Sequence, residues 1–123
     1  MRPNIHIDDM IEIYVVLLNA QKEKIAGQIF NGGYENHSVL ELAETVRDAI
    51  GQDVTLKTTD TDYNRSYHIS SKKIADALGF KASHTIKDAV SDIKKAFEKG
   101  LLPNSLEDEL YFNIKRMQSI NLK

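Results

Sequence analysis

Apolar positions fall into distinct runs along this chain, and each run predicts an element. Met10 to Ala20 is apolar almost throughout, with Glu12 and Asn19 its clearly polar members. A helix apolar on nearly all sides needs burial on nearly all sides, so this run is expected as a central core helix. Asp8 or Asp9 is placed to cap its free first-turn N–H groups. Ile25 to Phe30 has the branched and aromatic content of a short buried strand, stopping at Asn31-Gly32-Gly33. Ser38 and Glu41 have capping-box spacing, and Val39, Leu42, Ala43, Val46, Ala49 and Ile50 follow at helical intervals up to Gly51, expected as a left-handed cap.

Val54 to Thr58 alternates apolar and polar, the pattern of a strand with one face on the core, and Thr59 to Asn64 is a polar loop. A short helix from Ser71 to Leu78 is stopped by Gly79. A second begins at Thr85, carries Ile86, Ala89, Val90, Ile93, Ala96 and Phe97 along one side, and ends at Gly100. Pro103 marks a turn. Ser105 with Asp108 then opens a last helix bearing Leu106, Leu110, Ile114 and Met117, fraying beyond Gln118. With an extra strand open at Asn4 to Ile7, the order predicts an α/β or α+β-like small lobe of short strands and about five helices.

Composition narrows the partners. At 123 residues and 41% hydrophobic content, the expectation is one domain with a real core. Lys and Arg number 16 against 18 Asp and Glu, and their scatter supplies no basic face for nucleic acid. The apolar run at Met10 is too short to cross a bilayer and lacks the charged start and cleavage site of a signal peptide, so no membrane partner is expected. Without cysteine there are no disulfides and no thiolate zinc sites, and a cytoplasmic location is the expectation.

Four features could carry chemistry. Gly32-Gly33 follows a predicted strand and precedes a helix, where backbone N–H groups can cradle a phosphate, although adjacent glycines are more often a plain turn. Neither G-x-G-x-x-G nor a P-loop occurs anywhere. Tyr111 and Lys115 have the Tyr-x-x-x-Lys spacing that stacks a phenol and an ammonium one turn apart, here near the C-terminus in a helix expected at the surface. His6, His37, His68 and His84 show no metal-ligand spacing and read as hydrogen-bonded histidines. Arg65 sits in Asp62-Tyr63-Asn64-Arg65-Ser66-Tyr67, a loop rich in groups that bind phosphate or hydroxyls, with a surface ion pair as the equal alternative.

Taken together, several segments resemble the C-terminal part of the extended short-chain dehydrogenase/reductases, the NAD-dependent sugar-nucleotide epimerases and dehydratases. Arg2-Pro3-Asn4-Ile5-His6-Ile7-Asp8-Asp9 is similar to that family's R-P-x-x-H-V-D-D, and Gly27 to Gly33 to its G-x-x-[FY]-N-x-G strand. Ser38 to Ala43 resembles its S-x-x-E-L-A helix start, and Arg65 to Ile74 with Leu78-Gly79-Phe80 its R-x-Y-x-x-S-x-K-x…L-G-[FW] region. The resemblance spans essentially the whole chain. It implies a substrate-side lobe that binds a nucleotide sugar, with NAD, the glycine fingerprint and the catalytic Tyr-x-x-x-Lys belonging to a Rossmann domain preceding residue 1. Residues carried over as substrate contacts are Arg2 near the diphosphate, Asn31 near the substrate and Arg65 in the loop closing over the nucleotide; no catalytic, cofactor or metal residue is carried over. The family's R-P-G-D loop departs here to Thr59-Asp60-Thr61-Asp62, which replaces a phosphate-binding arginine by Thr59. A chain of this kind is expected to be inactive alone and to self-associate through apolar surface the Rossmann domain would cover. The alternative is a free-standing binding or self-association module derived from that lobe.

Overall fold

The structure, a computed structural model, describes residues 1–51, 53–60 and 66–121. Among these it contains six α-helices and one two-stranded sheet, a small mixed, helix-rich arrangement of the α/β or α+β kind. The chain divides into two units, Met1–Asp92 and Ile93–Lys123.

In the first unit, β1 (Arg2–Asn4) runs antiparallel to β2 (Glu35–His37), pairing Arg2 with His37, Pro3 with Asn36 and Asn4 with Glu35. The Tyr34 N–H adds a bond to the Asn4 carbonyl at 2.8 Å. The early strand thus precedes the expected Asn4 to Ile7, because His6 already serves the next element. Its Nδ1 accepts the Asp8 N–H at 3.2 Å and caps α1 (Ile7–Asn19), a role the sequence assigned to Asp8 or Asp9.

Helix α1 is buried on one side only, which corrects the expectation of burial all round. Ile13 meets Ile74 and Phe80 in the core, joined by Ile5, Val16, Leu17, Phe30, Leu78 and Ala82. Ile7, Ile11, Tyr14, Val15 and Leu18 form a stripe on the other side, at the i, i+4, i+7, i+8, i+11 spacing of one helix face, and all are exposed. Leu18 keeps 85% of its surface.

The strand expected over Ile25 to Phe30 is absent. Lys22–Ile25 is instead a single helical turn, α2, and Gly27 at φ 69° turns the chain left-handed, with the Gln28 N–H on the Ile25 carbonyl at 3.0 Å. That turn breaks the extended path a strand needs, while Phe30 still reaches the core. Gly32 and Gly33 follow as close-packing positions. A Cβ on Gly32 would lie 2.5 Å from Ile13 Cδ1, and one on Gly33 would overlap the Ile69 side chain.

Ser38 caps α3 (Val39–Ile50) as its spacing predicts, with the Glu41 N–H on Ser38 Oγ at 3.1 Å and the Ser38 N–H on Glu41 Oε2 at 2.6 Å. These bonds hold the Glu41 carboxyl below its usual range. Gly51 donates to the Arg47 carbonyl at 2.8 Å and closes the helix through extended rather than left-handed backbone. Val54 and Leu56 are half-buried and Thr55 and Lys57 exposed, so the period of two is real. Among the described residues the segment has no ladder partner and forms no strand.

Helix α4 (Lys72–Leu78) buries Ile74 completely and ends at Gly79 in the left-handed conformation, φ 73°. Helix α5 (Ile86–Glu98) opens with a reciprocal cap, the Asp88 N–H on Thr85 Oγ1 at 3.3 Å and the Thr85 N–H on Asp88 Oδ2 at 2.7 Å.

The second unit holds the C-terminal part of α5. Leu101 donates to the Ala96 carbonyl and Gly100, at φ 66°, to that of Phe97, each at 2.9 Å, the Schellman pattern of a glycine stop. The single last helix expected from Ser105 is broken into a turn at Asn104, a 3-10 turn at Glu109–Tyr111 capped by Asp108, and α6 (Asn113–Ser119). Phe112 causes the break by leaving helical backbone at φ −125°, ψ 100°. Arg116 Nη1 then pairs with Glu109 Oε1 at 2.7 Å across it.

Candidate functional site

Among the described residues the densest polar constellation is centred on Asp9, whose side chain is 0% exposed. Its position in the first turn of α1 aims it inward, beside Ile13 one turn on. Oδ1 accepts from Ser83 N at 3.2 Å, Ser83 Oγ at 3.2 Å and His84 Nδ1 at 2.8 Å. Oδ2 accepts from Ser83 N at 3.2 Å and His84 N at 3.0 Å. A buried carboxylate is tolerated only when its lone pairs are filled this way. Burial acts to raise its pKa, and the bonds from the His84 side chain, the His84 and Ser83 amides and the imidazole charge outweigh that and hold the carboxyl below its ordinary value. Across the same contact the hydrogen bond to Asp9 holds the His84 imidazole above its ordinary value, against a smaller effect of burial and with help from the charges of Asp9, Asp8 and Asp88.

His84 stacks on the buried ring of His6, centroids 4.7 Å apart and planes 26° apart. His6 Nδ1 accepts the Asp8 N–H, which puts its proton on Nε2, 3.6 Å from Asp92 Oδ2. His84 Nδ1 is engaged by Asp9, and among the described residues no partner takes Nε2. The pair borders a recess of about 110 Å³ whose polar wall includes Asn4, Tyr34 and Glu35 and whose apolar wall includes Ile5 and Ile86. Glu35 is fixed by its Oε2, which accepts the Ile86 N–H at 3.2 Å and lies 3.6 Å from His37 Nε2. A carboxylate-oriented imidazole beside a small polar recess can bind a hydroxyl or relay a proton.

None of the residues expected as substrate contacts belongs to this cluster. Arg2 is half-buried at one end of the β1–β2 ladder, Asn31 is exposed before Gly32, and Arg65 lies outside the described residues. Gly32-Gly33 does not offer a phosphate cradle: the Gly33 N–H donates to Ser71 Oγ at 2.9 Å, and that hydroxyl donates back to the Gly33 carbonyl at 2.6 Å. The pyrophosphate of NAD therefore has no fit at this chain's one glycine pair. Tyr111 and Lys115 do not share a helix, because the break at Phe112 falls between them, and Lys115 Nζ sits 4.2 Å from the Phe112 ring instead. Among the described residues no group of three or more His, Cys, Asp or Glu is arranged to hold a metal ion, and no helix is long and apolar enough to cross a membrane.

Comparison with protein-family models, with curated proteins and with solved structures returned no match. The chemistry of the site rests on its own residues. Sequence reasoning missed the Asp9–His84 pair because its members are 75 positions apart, and spacing carries no signal over that distance. The only local hint was a second acidic residue at the start of an otherwise apolar helix.

Proposed function

We propose that this chain is the nucleotide-sugar-binding lobe of an NAD-dependent sugar-nucleotide epimerase or dehydratase, inactive without its dinucleotide-binding domain. The observation that supports the reading is that residues in or next to the segments that resemble that family meet in space. Asp9 of the first segment ties to Ser83 and His84, just beyond the Leu78-Gly79-Phe80 segment. Gly33 of the second is clamped by Ser71 of the last, and the neighbouring Asn36 side chain bonds both the N–H and the carbonyl of Ile69, at 3.1 and 3.2 Å. Gly32 packs on Ile13 of α1.

The exposed stripe on α1 supports a second body that covers it. It equally supports the rival reading, a free-standing module that self-associates through this face. Calorimetric titration with nucleoside diphosphate sugars separates them, since the lobe binds such a ligand and the module does not. Turnover of a nucleotide sugar by the isolated chain with added NAD would overturn the proposal.

A further inference from the structure

The exposed stripe on α1 is complementary to itself. Ile7, Ile11, Tyr14 and Leu18 stand 4, 3 and 4 residues apart, steps that read the same from either end of the helix. A two-fold axis crossing α1 between Glu12 and Ile13 therefore sets Ile7 opposite Leu18 of a second copy, and Ile11 opposite its Tyr14. Alternating steps of three and four are also the spacing at which paired helices interdigitate, with axes about 8–10 Å apart and crossing at about 20°. Val15 widens the same face.

Area and charge both fit that occupant. The five side chains keep from 50% of their surface at Val15 to 85% at Leu18. At about 200 Å² for a residue of this size they offer roughly 600 Å² per copy, and a pair buries about 1,200 Å², where specific interfaces begin. The charged residues of α1, Asp8, Asp9 and Glu12, are all acidic and lie in its first half. Ile13 to Asn19 carries no charge, and the exposed Lys22 and Lys24 follow it. Running antiparallel, the helices turn Asp8 and Glu12 toward the second copy's uncharged half and the lysines beyond it, and opposed helix dipoles add to the attraction. A parallel pair would instead bring the carboxylates up against their equivalents.

We infer that the chain by itself forms a two-fold dimer, in which two copies of α1 meet as an antiparallel pair through Ile7, Ile11, Tyr14, Val15 and Leu18. Arg2, Asn31 and Arg65 lie outside α1, so this occupant does not rest on the lobe reading above.

The chain contains no cysteine, so introduced thiols report on one contact at a time. Ile7→Cys and isotopically labelled Leu18→Cys are oxidised separately and as an equal mixture, and mass spectrometry separates mixed from like disulfides. In the antiparallel pair the two Ile7 positions lie about 16 Å apart along the axis, beyond the Cα separation of about 4.4–6.8 Å that a disulfide allows, whereas Ile7 of each copy faces Leu18 of the other. The mixed disulfide should exceed either like disulfide by about tenfold or more, against about twofold for random pairing. In sedimentation the unmodified chain should reach twice the monomer mass and stop there, since a two-fold contact closes on itself. If either variant fails to fold, Ile11→Cys with Tyr14→Cys reads the same register. Predominant like disulfides, random pairing, growth past the dimer, or a monomer at high concentration would each overturn the proposal, the last leaving the stripe to a different body. Titration with nucleoside diphosphate sugars succeeds or fails independently of all these results.

Discussion

Replacing Asp9 by Asn keeps the shape of the side chain and reverses its hydrogen-bonding character on one side. The carboxylate accepts from two backbone amides, one hydroxyl and one imidazole, and it has no water to fall back on at 0% exposure. In Asp9→Asn the amide oxygen can serve one group of donors, but the NH2 must face the others, leaving donors unpaired in the interior. Removing one partner of such a buried charged set costs about 3–5 kcal/mol. That is about a third of the 5–15 kcal/mol that ordinarily holds a domain together. With a urea slope of about 1.5 kcal/mol/M, the midpoint should fall by roughly 2–3 M. The control is Asp8→Asn, whose side chain is 62% exposed and whose loss should stay within about 0.5 kcal/mol. Urea titration followed by circular dichroism reads both. Equal midpoints for the two variants would refute the claim that Asp9 ties α1 to Ser83 and His84.

Three further outcomes are expected. Stability should peak between about pH 4 and 6.5: Asp9 contributes above its unfolded value of 3.8 and loses that contribution as pH falls through its lower folded value, while His84 contributes below 6.5 and loses it as pH rises through its higher folded value. The groups around that imidazole are Asp8, Asp9, Asp88 and the His6 ring with its neighbour Asp92; thermal melts from pH 3 to 9 should lose their alkaline limb in His84→Gln, and an unchanged limb would sink the assignment. Gly32→Ala should cost about 1–3 kcal/mol by overpacking against Ile13 Cδ1, and Ile13→Val, which removes that atom, should suppress the loss in a double-mutant cycle. The chain should self-associate with rising concentration, and Val15→Lys with Leu18→Glu should return it to monomer; a clean monomer in sedimentation at high concentration would count against the exposed stripe as a contact face.

What could be read in advance was local chemistry. Ser38 with Glu41, Thr85 with Asp88, Gly79 and Gly100 act within a turn of where they stand, so their roles follow from spacing alone. Strands fared worse because a strand exists only with a partner. Val54 to Thr58 has the right alternation and no ladder, while Glu35–His37 carries no strand pattern yet pairs with Arg2–Asn4. The single residues Gly27 and Phe112 each ended an element that the surrounding apolar pattern continued through. Of the four histidines expected to be hydrogen-bonded, His6 and His84 are, whereas His37 Nε2 is buried without a hydrogen-bond partner. The convergence of the first two on Asp9 depended on the tertiary fold.

The bonds from Asp9 to Ser83 and His84 span 74 and 75 positions, and this has a consequence for biosynthesis. At translation speeds of roughly 5–20 residues per second, Asp9 waits about 4–15 s after its own synthesis before its acceptors find their donors. Over that interval a carboxylate meant for the interior stays hydrated, and α1 carries apolar residues on both of its faces. The tie at Asp9 is then a closing step, made only once the segment carrying Ser83 and His84 has emerged.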